Sequence, residues 1–318
     1  MALRVLAHFI PGPRVEEFVA PESDWLDIRW CAADDADTFR RELADAEVLW
    51  HVLRPLSGDD LRSGPALRLV HKFGVGINTI DVDVATQRGI AVANMPGANA
   101  ASVAEGTVLL MLAVLRRLLP LDRATREVRG WPTDPDLGER CRDIGGCTVG
   151  LVGFGSIAQR VGGIVAAMGA QVLHTSTHDD GTLGWRSLPE LLAASDIISL
   201  HVPLTEATEG LIDKAALARM KPDAVLVNSA RGPIVDEAAL ADALRGGRLA
   251  GAGLDVFATE PVTANNPLLG LENVVLTPHA SWYTADTMRR YLTAALDNCR
   301  RLRDGQPLTH VVNQPIGC

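Results

Sequence analysis

The sequence predicts an α/β protein made of two doubly wound parallel-sheet domains. Three observations carry that expectation. Short apolar runs alternate with amphipathic stretches along most of the chain, the pattern of parallel strands joined by crossover helices. The runs are nearly continuous rather than polar at every second residue, as strands buried on both faces require. The 318 residues also exceed the roughly 250–300 at which a single hydrophobic core stops growing.

The elements follow in order. Leu3–Phe9, Glu47–Val52, Leu67–Phe73 and Ile90–Ala93 read as buried strands, with helices expected at Asp34–Leu43 and Gly58–Leu61. One long helix is expected over Ala101–Leu119, then a polar connection from Arg129 to Gly146 that holds Trp131. A second alternation begins at Cys147, with strands at Thr148–Val152, Gln171–His174, Ile197–His201, Ala224–Val227, Gly251–Val256 and Val274–Leu276. Ser187 and Glu190 have the spacing of a capping box, and Asp213 and Asp236 stand where helix N-caps belong. A helix over Ala285–Arg303 closes the chain.

Composition narrows the function. With 47% hydrophobic and 22% charged residues the chain is globular rather than disordered. A net charge of −9 lacks the basic footprint that a phosphate backbone needs, so no nucleic-acid partner is expected. Lysine occurs only at Lys72, Lys214 and Lys221, which leaves few candidates for Schiff-base chemistry. The cysteines Cys31, Cys141, Cys147, Cys299 and Cys318 form no CxxC pair, so neither a disulfide framework nor a metal site is expected. The longest apolar run, Val108–Leu115, falls far short of the ~20 residues that span a bilayer. The N-terminal run is unlike a signal peptide. A soluble, cytoplasmic setting without a membrane partner is the expectation.

The residues that carry chemistry lie at strand ends. Gly153, Phe154, Gly155, Ser156, Ile157 and Ala158 follow the strand TVGLV and open a helix. Gly153 suits a tight turn, Gly155 lets a pyrophosphate approach the backbone at the helix N-terminus, and Ala158 packs on the strand. The acid that would hold the ribose 2′-hydroxyl of NAD is missing where Ser176, Thr177 and His178 stand. Its absence favours NADP over NAD, with Asp179 or Asp180 looping back to serve NAD as the alternative. Arg231, Glu260 and His279 each follow a separate strand at the edge where open α/β sheets build their sites. Arg offers a fork to a keto acid, His transfers a proton, and Glu orients the imidazole and raises its pKa. His201, after IISL, reads as packed or cofactor-lining.

These segments together resemble the D-isomer-specific 2-hydroxyacid dehydrogenase family, over essentially the whole length. The matching strings are GVGINTIDVDVATQRGIAVANMPGANAASVAE, VGLVGFGSIA, HVPLTEATEGLI, VNSARGPIVDEAAL, GAGLDVFATEP and LTPHAS. The resemblance implies a Rossmann dinucleotide-binding domain, residues 99–286, inserted into a flavodoxin-like substrate domain, residues 1–98 and 287–318. It implies that Arg231, Glu260 and His279 are catalytic. Val202, Pro203 and Ala230 join the cofactor side, and Asp255 matches the position that meets the nicotinamide. Gly74, Val75 and Gly76 match a carboxylate-binding loop, and Leu53, Arg54, Trp282 and Tyr283, next to matched segments, are expected to shape the pocket.

The activity so implied is reduction of a 2-keto acid of the glyoxylate or hydroxypyruvate type by hydride transfer from NAD(P)H, with His279 as proton donor. Formate dehydrogenases are similar but carry Gln where Glu260 stands. Phosphoglycerate-oxidising relatives use a basic residue in the region that here offers His51 and Arg54. No C-terminal regulatory domain is expected. Relatives dimerise through the region around Trp131, so a homodimer is expected, with Trp131 reaching a partner's site. The alternatives are a nucleotide-sensing or corepressor module on the same fold, and a D-3-phosphoglycerate dehydrogenase.

Overall fold

The computed structural model describes residues 2–128, 135–179 and 181–315, so Trp131 and Asp180 lie outside the described residues. The chain divides into two compact units. One takes the residues up to Asn99 together with those from Thr284 onward, and the other is Ala100–Tyr283.

The first unit holds five parallel strands: β1 (Leu3–Ala7), β2 (Leu26–Trp30), β3 (Val48–His51), β4 (Leu69–Lys72) and β5 (Ala91–Ala93). Their order is β2-β1-β3-β4-β5, the doubly wound arrangement in which the winding reverses between β1 and β3. Every residue of β3 and β4 is buried, His51, His71 and Lys72 included. β2 was not among the expected strands. Its sequence LDIRW carries Asp27 and Arg29 because it is an edge strand in which only Leu26 is fully buried.

Helices Pro13–Val19 and Val82–Gln87 also lie outside the expected set, and both are too short to show a helical period. Helix Ala36–Leu43 starts at Asp35, which accepts from Thr38 N at 3.0 Å. Helix Gly58–Ser63 starts in a reciprocal box between Ser57 and Asp60. Each such cap contributes about 1 kcal/mol.

The closing helix spans Ala285–Arg303, the bounds expected from the sequence, and buries Tyr291, Leu292, Leu296 and Cys299. Beyond it the chain returns along β5. Val311 bridges Ala93 antiparallel, Val312 N donates to Val92 O at 2.8 Å, and Asn313 Oδ1 accepts from Val92 N at 2.8 Å.

The second unit holds six parallel strands: β6 (Thr148–Val152), β7 (Gln171–Thr175), β8 (Ile197–Leu200), β9 (Val225–Asn228), β10 (Gly251–Leu254) and β11 (Val274–Leu276). The order is β11-β10-β9-β8-β6-β7, and Trp185 adds a single parallel bridge outside β7. All six strands expected from the sequence are present. His201, Asp255 and Val256, however, lie just past their strand ends, in the loops that follow. The capping box at Ser187 and the caps at Asp213 and Asp236 form as expected.

The long helix expected over Ala101–Leu119 is two helices, Ala100–Leu115 and Leu118–Arg126. Two features accompany the break. Arg142 N donates to Leu115 O at 3.0 Å, and Arg117 turns left-handed with φ +52°. No helix among the described residues is long and apolar enough to cross a membrane.

Candidate active site

Three loops leave the carboxyl ends of β9, β10 and β11 and bring Arg231, Glu260 and His279 to one edge of the sheet. The β9 loop is fixed by Asn228, whose side chain is buried to 1% exposure. Its Oδ1 accepts from Ala230 N at 3.0 Å and its Nδ2 donates to Arg231 O at 2.9 Å. The Arg231 guanidinium folds back to donate to Ala230 O at 2.6 Å. Burial pushes its pKa below that of a free arginine, against an upward pull from the Glu260 carboxylate.

Gly232 sets the distance between the first two loops. A Cβ there would lie 1.9 Å from the Phe257 carbonyl carbon and 2.4 Å from Ala258 N. Only a residue without a side chain lets the Arg231 loop approach the Glu260 loop this closely. The Glu260 loop is held further by Glu237, which accepts from Ala258 N at 2.5 Å and from Asn266 Nδ2 at 2.9 Å.

Glu260 Oε2 meets His279 Nδ1 at 2.7 Å, and its Oε1 accepts from Phe257 N at 3.0 Å. Burial pushes the Glu260 pKa up. The His279 hydrogen bond and charge, the Phe257 N–H and Arg231 outweigh it and hold the carboxyl below its ordinary value. His279 itself is left-handed, with φ +53°. Asp255 is buried to 1% exposure beneath it and accepts from Thr277 Oγ1, Ala280 N and Ser281 N.

The phosphate-binding expectation falls on the turn from β6 into helix Ser156–Ala167. Gly153 has φ +93°, and a Cβ there would press within 2.9 Å of the His201 carbonyl and Val202. The turn is thereby seated on the loop of His201, Val202 and Pro203. In contrast, a Cβ on Gly155 would meet nothing within 4 Å. Gly155 is also the helix N-cap and carries no capping side chain. The open space and the bare helix N-terminus, with Ser156 and Ile157 in its first turn, fit a dinucleotide pyrophosphate.

Phe154 stacks on His174 at 3.8 Å between ring centroids, tying the turn to β7. Past the end of β7, Ser176, Thr177 and His178 are exposed. Asp179 Oδ1 accepts from Gly181 N at 2.8 Å, within its own turn. His201 is half-buried and bonded to Ser199 Oγ at 2.9 Å, and desolvation of its ring lowers its pKa to about 4. Trp282, 9% exposed, packs edge-on to Tyr283.

In the first unit, Leu53 and Arg54 follow β3, and Gly74, Val75 and Gly76 follow β4. The carbonyls of Gly74 and Val75 accept from Met95 N at 2.9 Å and Asn94 Nδ2 at 2.8 Å. Arg54 lies 4.9 Å over the Phe39 ring. Lys72 Nζ donates to Val52 O, to Thr79 Oγ1 at 3.2 Å, and toward His51 Nδ1 at 3.4 Å. His51 Nε2 donates to Arg54 O at 2.5 Å. Burial, then Lys72, lowers the His51 pKa to about 3, consistent with a neutral ring that donates at Nε2 and accepts at Nδ1. Lys72 thus ties the two loops of this unit together.

Asn228, Gly232, Glu237 and Lys72 were not singled out from the sequence for these roles. Lys72 had a visible signal, as a lysine within an expected buried strand just before the Gly74–Gly76 loop. The others act through contacts between distant loops.

Residues 108–281 match the family described as D-isomer specific 2-hydroxyacid dehydrogenase, NAD binding domain. The chain is 41% identical over 302 residues to a D-3-phosphoglycerate dehydrogenase of Mycobacterium tuberculosis, covering 93% of this chain and 56% of that protein. The chain thus spans about half the length of the mycobacterial relatives it matches. It is 39% identical over 282 residues to a glyoxylate reductase of Korarchaeum cryptofilum, covering 86% of this chain and 84% of the relative. A hydroxypyruvate reductase of Blautia hydrogenotrophica is 33% identical over 288 residues, covering 88% and 89%. Among solved structures, the TT0316 protein of Thermus thermophilus superposes with a TM-score of 0.88 at 30% identity, covering 98% of this chain and 100% of that one.

Proposed function

The chain belongs to the D-isomer-specific 2-hydroxyacid dehydrogenase family, and from that membership we propose that it reduces a small 2-keto acid, of the glyoxylate or hydroxypyruvate type, to the D-2-hydroxy acid. The 2.7 Å contact between His279 Nδ1 and Glu260 Oε2 carries the reading. With Nδ1 committed to the carboxylate, Nε2 is the nitrogen that gives a proton to the substrate oxygen. Glu260 fixes the ring's tautomer and orientation, as the carboxylate of a catalytic triad does. The Arg231 guanidinium binds the keto acid through charge-assisted hydrogen bonds of about 1.5–3 kcal/mol each.

A nicotinamide cofactor, when bound, supplies the hydride that reduces the keto carbon. Gly153, Phe154, Gly155, Ser156 and Ile157 would hold its pyrophosphate, and Ser176, Thr177 and His178 the 2′-phosphate of NADP. His201, Val202, Pro203 and Ala230 would line the rest. The lack of a carboxylate at Ser176, Thr177 and His178 leaves NADP favoured over NAD.

In the first unit, the N–H groups of Val75 and Gly76, after Gly74, are the proposed carboxylate donors, and Leu53 and Arg54 the proposed specificity residues. Trp282 is assigned the same role in the second unit. Exposed Leu109, Leu118 and Leu119 support a homodimer, which sedimentation tests, and the proposed setting is the cytoplasm.

The experiment is loss of reduced-nicotinamide absorbance with glyoxylate and hydroxypyruvate, run with NADPH and then NADH. Turnover with either acid is the expected result. No turnover across a panel of 2-keto acids, with nucleotide binding retained, would favour a nucleotide-sensing module instead. One observation favours a second substrate reading, oxidation of D-3-phosphoglycerate: the 41% identity to the mycobacterial dehydrogenase of that name. Running 3-phosphoglycerate with NAD(P)+ in the same assay separates the two.

A further inference from the structure

His279 stands in the left-handed backbone region, which few residues other than glycine adopt. A positive φ of 53° crowds Cβ against the following carbonyl, and such strain persists only where the surroundings over-determine it. The surroundings here are largely one residue. Asp255 O accepts from His279 N at 2.7 Å. Asp255 Oδ1 accepts from Thr277 Oγ1 at 2.6 Å and from Ala280 N at 2.8 Å, and Oδ2 accepts from Ser281 N at 3.0 Å. One aspartate therefore holds the residue two before the histidine, the histidine, and both residues after it.

The left-handed step at His279 makes this possible. It turns the N–H groups of Ala280 and Ser281 back to the carboxylate while the imidazole reaches Glu260. The far side of the turn is closed too. A Cβ on Gly106, in helix Ala100–Leu115, would lie 2.9 Å from both Ser281 Cβ and Oγ. The helix backbone thus rests directly on Ser281, and the turn is confined between that helix and the carboxylate.

A carboxylate with 1% exposure is costly to bury unless hydrogen bonds replace its hydration. Those of Asp255 are supplied by the turn itself.

We propose that Asp255 is a positioning residue for His279: its carboxylate locks the Thr277–Ser281 turn in the conformation that keeps His279 Nδ1 on Glu260. The role differs from contact with the nicotinamide. It rests on the proposed reduction for its consequence in catalysis, but the lock itself belongs to the ligand-free protein and is measurable there.

The test uses the full chain with 15N-labelled histidine, without cofactor. The Nδ1 proton of His279, bonded to a carboxylate, gives a downfield resonance assigned by its loss in Glu260→Gln. In Asp255→Asn an amide NH2 takes the place of one carboxylate oxygen and opposes a backbone N–H, so the turn loses an acceptor. That resonance is expected to vanish or move upfield, kcat to fall at least tenfold, and the Kd for NAD(P)H to stay within about threefold of wild type.

A resonance that persists in Asp255→Asn, with the cofactor Kd raised tenfold or more at unchanged kcat, overturns the proposal in favour of nicotinamide contact. Should Asp255→Asn not fold, Thr277→Val and Thr277→Ser decide. Loss of the resonance in the valine variant and its retention in the serine variant support the lock, and retention in both overturns it. If the resonance depends on Asp255 but no 2-keto acid is reduced, the positioning role stands and the proposed substrate class falls.

Discussion

Thr107 Oγ1 and Ser229 Oγ lie 2.7 Å apart, joining helix Ala100–Leu115 to the loop that carries Arg231. The direction of the bond follows from proton count. The Thr107 hydroxyl already donates to Val103 O at 2.7 Å, so Ser229 is the donor and Thr107 the acceptor. Thr107→Val keeps the shape and removes the acceptor. It is expected to destabilise the protein by about 1–3 kcal/mol and to raise the KM for the keto acid through a loosened Arg231. Thr107→Ser should restore both, and urea unfolding with steady-state kinetics checks the pair.

His279→Ala is expected to lower kcat by about 10²–10⁴ while cofactor binding, followed by fluorescence, stays intact. A variant near wild-type rate would remove His279 from the mechanism. Glu260→Gln should lose most of the rate too, because an amide cannot present the same charge to the ring.

The Glu260 carboxyl is held below its ordinary pKa in the folded protein. Its contribution to stability is therefore present above the unfolded-state pKa and is lost as pH falls through the lowered folded value. Glu260→Gln should flatten that part of the acid-unfolding curve.

Gly232→Ala places a methyl group 1.9 Å from the Phe257 carbonyl carbon, so the Arg231 and Glu260 loops must separate. The expected outcome is loss of turnover larger than any loss of NAD(P)H affinity, because the pyrophosphate turn lies on other strands. Equal losses of both would argue for general unfolding, which circular dichroism would report.

Burial lowers the pKa of four histidines: His8 and His201 to about 4, His51 and His71 to about 3. Unfolded, each ring titrates near 6.5. Above that pH neither state binds the proton and stability is unaffected. As pH falls below it, the unfolded chain takes up protons that the folded chain refuses. Stability then drops by about 1 kcal/mol per pH unit for each ring until the folded values are reached. The urea midpoint is expected to fall between pH 7.5 and pH 5, and a flat profile would contradict the neutral burial of these rings.

Ser176→Asp restores a carboxylate at the end of β7. It is expected to raise the KM for NADPH and lower that for NADH, which the absorbance assay measures directly. Unchanged preference would mean that the 2′ position is read elsewhere.

The second unit was legible because its inner strands β8, β9 and β10 are buried along their length and β6 nearly so, and they spell themselves out as largely apolar runs. The catalytic candidates were legible because each follows such a run. β2 was not, since an edge strand with Asp27 and Arg29 has no run to show. The break at Leu115 coincides with an acceptor taken by Arg142, far along the chain. The roles of Asn228, Gly232 and Asp255 arise where one loop meets another, and no local pattern records such a meeting.

The return of residues 311–313 along β5 bears on how the protein behaves in a crowded solution. β5 is the last strand of its sheet, and a bare edge strand is a template on which other chains can pair and aggregate. Here Asn313 Oδ1 takes the Val92 N–H and Val312 N takes the Val92 carbonyl. The protein's own tail thus occupies that edge and stands between a parallel sheet and the intermolecular strand addition it would otherwise invite.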